Sequence, residues 1–305
     1  MRNLNVVRRI LLGALLVALL AGPLHGQQPL KVYISADMEG ISGVVSADQL
    51  SPSGFEYAQA RQWMTGDVLA AIEGAREAGA TEFVVSDSHG NGQSLLLDKF
   101  PADIPISIVR SFPRPLGMME GLDSSFAAAM FIGYHAATTS SAGVRAHTIS
   151  SALLTKIALN GTPMSEAGIN AAIAAEIGVP VVLITGDDAI VNESRERFGA
   201  IDGVVVKRAI GFHSAATLTP EVAQASIRQH AKAALSRRAE MKPYTMTKPI
   251  NLDISFKNYR PVELLGYLPN VKRTDAHTVR FVGRDMTDVS KFIEFVTNYD
   301  PALTP

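Results

Sequence analysis

Cysteine is absent from the 305 residues, which removes disulfides, thiolate metal ligands and a lipid-anchoring cysteine together. Any metal this chain binds must therefore be held by histidines and carboxylates. Net charge is almost absent too. The 28 Lys and Arg against 29 Asp and Glu leave a formal −1, so no field favours a nucleic-acid polyanion or an anionic membrane surface. No internal repeat and no low-complexity segment interrupts the chain. What is present, 47% hydrophobic residues, suffices for one large core or two modest ones.

The first residues differ from the rest. Arg2, Arg8 and Arg9 form a basic leader, residues 10–21 an apolar run, and Gly22-Pro23-Leu24-His25-Gly26 a helix-breaking end before the polar start at Gln27. The run is shorter than the roughly 20 residues that span a bilayer, so residues 1–26 read as a cleaved secretory signal. The expectation is an exported, periplasmic protein with no membrane attachment after cleavage.

Strand-like runs recur at 31–36, 82–86, 106–110, 128–134 and 179–185, with helical periodicity between several of them. Residues 56–78 carry Trp63, Met64, Val68, Ala71, Ile72 and Ala75 at helical spacing, and Gly79 is a natural stop. Residues 156–159 read as a strand entering a tight turn at Asn160-Gly161, after which Ser165-Glu166 opens a helix that runs to 177. Beyond 203 the order is strand, helix, strand, helix, strand, helix. The fold class expected is α/β: a mostly parallel sheet flanked by helices over 27–202, with a smaller C-terminal α+β domain over 203–305.

The sharpest chemical signal is Asp37-Met38-Glu39-Gly40 at the end of the first strand. Ligands of α/β sheets sit at the carboxyl ends of strands, and two carboxylates there suit a cation better than a core. His89 follows a second strand in Ser86-Asp87-Ser88-His89-Gly90, His135 follows another in Gly133-Tyr134-His135, and His147 lies in Ala146-His147-Thr148. A lone loop histidine usually makes an ordinary hydrogen bond; histidines and an Asp-x-Glu pair on one rim point to metal. Asp87 could orient His89 or simply end its strand. Asn91 and Gly92 read as turn formers.

These segments, together with Asn160-Gly161 through Ser165-Glu166, resemble in order and spacing the successive motifs of the DppA-type D-aminopeptidases, dinuclear zinc enzymes, over essentially the whole mature chain. The resemblance implies that Asp37, Glu39, His89, His135 and Glu166 hold two Zn²⁺ per subunit, with Asp37 bridging, and that His147 is catalytic. It implies hydrolysis of the N-terminal residue of short peptides, D-Ala peptides in particular, and a ring-like homo-oligomer, for which it suggests a decamer. Charge fits: +4 from two Zn²⁺ against −3 from three carboxylates leaves +1 for a hydroxide to neutralise. His147 could then serve as base, acid or nucleophile, with acid/base work favoured because metal-activated water already supplies a nucleophile. On its own, Glu166 would be read as a carboxylate favourable at a helix N-terminus.

Two rivals exist. A haloacid-dehalogenase-like Mg-dependent phosphatase would make Asp37 the nucleophile and use Asp187-Asp188 as its acidic motif, but it leaves three histidines without a role. A periplasmic peptide- or solute-binding protein needs no metals at all.

Overall fold

A computed structural model describes residues 29–299, so the leader at 1–26 lies outside the described residues. Seven strands form one sheet: β1 (Lys31–Ala36), β2 (Glu82–Asp87), β3 (Ile106–Val109), β4 (Phe126–Tyr134), β7 (Val181–Asp187), β8 (Asp202–Gly211) and β9 (Ser214–Thr217), in the order β3-β2-β1-β4-β7-β8-β9. Every pairing is parallel except the β8–β9 hairpin at one edge. β1 sits inside the sheet and is buried on both faces, which is why it reads as an unbroken apolar run rather than an alternating one.

The two faces have separate cores. Val32, Ile34 and Ala36 pack beneath α1 (Tyr57–Glu77) and α4 (Pro220–Ser236), whereas Tyr33 points to the side occupied by α2 (Glu166–Ile177) and α3 (Asp188–Phe198). On that second side lies a five-stranded sheet, ordered β11-β12-β10-β5-β6, of β5 (Leu154–Leu159), β6 (Thr162–Pro163), β10 (Ile250–Phe256), β11 (Val271–Arg273) and β12 (Thr278–Gly283). Ile250, Leu252, Ile254 and Phe256 of β10 face the core, while Asp253 faces outward and pairs with Arg280 at 2.7 Å. Two further helices, α5 (Tyr259–Leu265) and α6 (Met286–Asn298), cover this sheet through Val262, Val289 and Ile293. α2 is apolar all round because it lies between the two layers.

The α/β class and the mostly parallel sheet match the expectation. Sheet membership, however, does not change near residue 202: β8 and β9 extend the first sheet, and β5 and β6 belong to the second, β5 pairing with β10 from more than ninety residues away and β6 with β5. Short-range patterns do not report such long-range pairing. The turn after β5 is as read, with Asn160 and Gly161 both at positive φ. Among the described residues no helix is long and apolar enough to cross a membrane.

α1 and α4 approach each other through glycine. A Cβ on Gly74 would stand 2.1 Å from the Arg228 carbonyl oxygen, a backbone atom that cannot step aside. Gly74→Ala gains helix propensity of about 1 kcal/mol, but forcing the helices apart costs about 1–3 kcal/mol. The variant is expected to be less stable in chemical unfolding; a gain in stability would refute the close crossing.

Candidate metal centre

β1, β2 and β4 are neighbours and end on one rim. The connection from β1 to β2 runs through α1 on one face and that from β4 to β7 through α2 on the other, so a crevice opens where the two diverge. Bare backbone lets the rim close up. A Cβ on Gly40 would lie 2.0 Å from the Tyr134 carbonyl oxygen, and one on Gly133, at φ +75°, 2.2 Å from that of Asp37. Gly40 N–H instead donates to the Gly133 carbonyl at 2.7 Å, and Asp37 N–H to that of Ile132 at 2.8 Å. Beneath them the Tyr134 hydroxyl donates to Ser35 Oγ at 2.6 Å and accepts from Asn170 of α2 at 2.9 Å, tying β1 and β4 to the helix that Glu166 opens.

All six residues singled out from the sequence meet here. Asp37 reaches both ways, with Oδ1 3.3 Å from His89 Nδ1 and Oδ2 3.2 Å from His135 Nε2. Glu39 Oε2 lies 2.9 Å from His89 Nδ1, Glu166 Oε2 3.4 Å from His135 Nε2, and Glu166 Oε1 3.8 Å from His147 Nε2. Two groups thus form, Asp37, Glu39 and His89 in one, His135, His147 and Glu166 in the other. The His135 and His147 rings stack, centroids 4.2 Å apart. His147 owes its position to a taut loop in which Arg145 and Ile149 both have positive φ, uncommon for a β-branched residue. That loop is pinned by Ile149 N–H to Glu166 Oε1 at 2.7 Å and Thr148 Oγ1 to the Met164 carbonyl at 2.9 Å.

Each imidazole spends its other nitrogen on a backbone carbonyl: His89 Nε2 on Leu50 at 2.8 Å, His135 Nδ1 on Ala136 at 3.1 Å, His147 Nδ1 on Arg145 at 2.9 Å. A carbonyl only accepts, so those nitrogens carry the hydrogen and the opposite lone pairs face the carboxylates. Asp37 Oδ2 and His135 Nε2 are buried without a hydrogen-bond partner among the described residues. Lone pairs and carboxylate oxygens converging in a buried site repel one another unless a cation lies between them. Without a metal, the carboxylates would draw protons onto the imidazoles to supply the same missing positive charge. Burial and the neighbouring Glu39 raise the Asp37 carboxyl above its usual range. Burial opposes charge on His89 and His135, yet Glu39 and Asp37 on the one and Glu166 and Asp37 on the other carry both well above the ordinary imidazole range. The donor set, all nitrogen and oxygen, fits divalent metal.

The cluster borders a cavity of about 260 Å³, lined by Asp37, Glu39, His89, His147 and Glu166 on one side and by Glu294, Thr297 and Asn298 of α6 on another. Comparison with known proteins agrees with this chemistry. Residues 30–295 match the family model described as D-aminopeptidase. The chain belongs to the D-aminopeptidase family. It is 31% identical over 260 residues to the D-aminopeptidase of Bacillus subtilis (strain 168), covering 85% of this chain and 93% of that one. It also superposes with TM-score 0.84 and 29% identity on a solved structure described as the Zn-dependent D-aminopeptidase DppA from Bacillus subtilis, a self-compartmentalizing protease, over 88% of this chain and 97% of the other. As a member of this family the chain is a peptidase, a hydrolase, and neither the phosphatase nor the solute-binding reading stands.

Local geometry agrees on the phosphatase. Asp187 caps α3, accepting from Ile190 N–H at 2.9 Å and from Val144 N–H at 2.7 Å, and Asp188 accepts from Ala209 N–H at 2.9 Å, so both are spent on backbone. Asp87, left open between two roles, accepts from Leu95 N–H at 2.7 Å and shapes the loop after β2; the partner of His89 is the Leu50 carbonyl. Gly92 is a turn former as read, at φ +68°.

One residue had no signal in the sequence beyond being a lysine directly after the Val204-Val205-Val206 run. Lys207 of β8, 2% exposed, donates to the carbonyls of Glu39, Ile41 and Val44, gathering the loop that carries Glu39 around one buried ammonium. Burial brings its pKa down to about 8, against the pull of Asp187, Glu39 and Asp67. Nearby, burial lifts the Asp67 carboxyl on α1 up to about 8, with Gln224, Ser42 N–H and Lys207 pulling the other way. Asp67 therefore takes up a proton on folding across the range between its ordinary value near 3.8 and 8. Its contribution to stability is full below that range and lost as pH rises through 8. Unfolding curves of wild type and Asp67→Asn between pH 5 and 8 should show the wild type losing ground to the variant as pH rises; a pH-independent gap would contradict the assignment.

Proposed function

We propose that this chain is an exported, zinc-dependent aminopeptidase that releases the N-terminal residue of short peptides, D-Ala peptides among them, and works as a homo-oligomer. The observation that carries the reading is the cluster of three carboxylates and three carbonyl-anchored imidazoles on one cavity, in a chain of the D-aminopeptidase family. The leader at 1–26 supports export to the periplasm. The relative described as self-compartmentalizing supports assembly, for which we favour a ring-like decamer.

Asp37, Glu39, His89, His135 and Glu166 would hold the two zinc ions, with Asp37 placed between the Glu39–His89 group and the His135–Glu166 group. Bound there, the ions supply Lewis acidity towards the scissile carbonyl and a lowered pKa for the attacking water. The protein's own part is positioning and proton transfer. His147 keeps its Nδ1 hydrogen on the Arg145 carbonyl, which leaves Nε2 to take a proton from the water and return one to the departing amine nitrogen. Stacking on His135 and the pinned loop hold the ring in that orientation. A cavity of about 260 Å³ suits a short peptide end better than a folded chain.

Hydrolysis of matched D-Ala and L-Ala amides by the metal-loaded protein, before and after chelation, tests the reading. Cleavage of the D-amide with loss of activity on metal removal is expected; cleavage of neither, or activity indifferent to complete metal removal, would sink it. Elemental analysis separates the roles. His89→Ala and His135→Ala should each lose zinc and activity together. His147→Ala should keep both ions while kcat falls about 10²–10⁴-fold; zinc loss in this variant would make His147 a ligand instead.

A further inference from the structure

The cavity beside the metal centre carries a fourth carboxylate that the cluster does not use. Glu294 of α6, half-buried, lines the same cavity as Asp37, Glu39 and Glu166, and among the described residues no lysine or arginine lines it. Its Oε2 is engaged, accepting from Arg114 N–H at 3.4 Å and from Asn298 Nδ2 at 3.2 Å, whereas Oε1 has no hydrogen-bond donor among the described residues. Room for that oxygen comes from Gly117, at φ +54°, where a Cβ would stand 2.8 Å from Oε1. The nearest guanidinium is committed elsewhere. Arg114 donates through Nη1 to Ser86 Oγ at 2.9 Å and through Nη2 to the Asp87 carbonyl at 2.8 Å, and it lies 3.7 Å over the Phe112 ring.

We propose that Glu294 is the specificity-determining residue that receives the N-terminal ammonium of the peptide, its Oε1 accepting the ammonium hydrogens. This rests on the aminopeptidase reading and names the group that makes the enzyme choose a free amino terminus. Three of the four carboxylates are matched by metal charge; the fourth feels the Arg114 guanidinium but has no cation on its Oε1 until one arrives with the substrate. Burial raises the Glu294 carboxyl above its usual range, the Arg114 N–H and guanidinium opposing, and an ammonium at Oε1 restores the charged form. A carboxylate fixed on a helix also sets the distance from the amino terminus to the scissile bond, so that one residue is removed at a time.

Glu294→Gln separates this role from a structural one, because the amide oxygen still accepts from Arg114 N–H while the charge is gone. The probes are D-alanine p-nitroanilide and its des-amino analogue, propionyl p-nitroanilide, with the zinc-loaded enzyme. The wild-type preference for the alanyl substrate in kcat/KM should fall about 10–100-fold in the variant, chiefly through KM, with zinc content unchanged. An unchanged preference in an active enzyme, or equal losses on both substrates, overturns the role of Glu294 and leaves the peptidase reading intact. Failure of the wild type to cleave either substrate overturns both.

Discussion

Everything at the active rim depends on one electrostatic constraint: three carboxylates are buried where three imidazoles present their lone pairs. Such a cluster is unstable by itself, since taking one ionised carboxylate out of water costs several kcal/mol and neighbouring carboxylates repel. Positive charge must be supplied within a few ångströms. The protein places its own buried ammonium, Lys207, on the backbone of the Glu39 loop and not on the carboxylates' inner oxygens, so the centre stays free for metal. That division explains why Lys207 lies buried within β8 while its neighbour Arg208 is exposed.

The fold serves this constraint by bringing backbone unusually close. Gly40 and Gly133 let the chain after β1 lie against the end of β4, and this approach, more than any side-chain choice, sets the reach of Asp37 to both histidines. Carbonyls of Leu50, Ala136 and Arg145 then orient the imidazoles, and the left-handed residues at Arg145 and Ile149 turn His147 inward. A rim built from rigid strand ends gives precise positions, whereas the opposite wall is a single helix from the far end of the chain. Metal chemistry and substrate selection thus come from different layers, one from the parallel sheet and one from the helix covering the antiparallel sheet.

Much of this was legible in the sequence. The apolar run of β1 ending in Asp37 and Glu39, and the histidines after β2 and β4, report the rim directly, because in a parallel sheet all strands end on the same side. Glu166 was legible as the opening of α2, through Ser165 before it and the Asn160-Gly161 turn upstream. α3 is hidden at the level of sequence because Asp187-Asp188 resembles an acidic metal motif as closely as it resembles a helix start, and only the bonds to Ile190 and Val144 distinguish the two. The short strands β9 and β11 carry too few residues for a pattern.

By itself the sequence determined the α/β class, the six residues that meet at the rim and, through the order of its motifs, the family. These are local properties: periodicity, strand ends and turn residues are set by neighbours within a few positions. Tertiary structure alone decided that β5 and β6 join the C-terminal strands, that Lys207 reaches the Glu39 loop from 168 residues away, and that α6 brings Glu294 to the cavity lined by Asp37, Glu39 and Glu166. No local pattern encodes those pairings, since each exists only after distant segments have been driven together by burial of the two cores on either face of the central sheet.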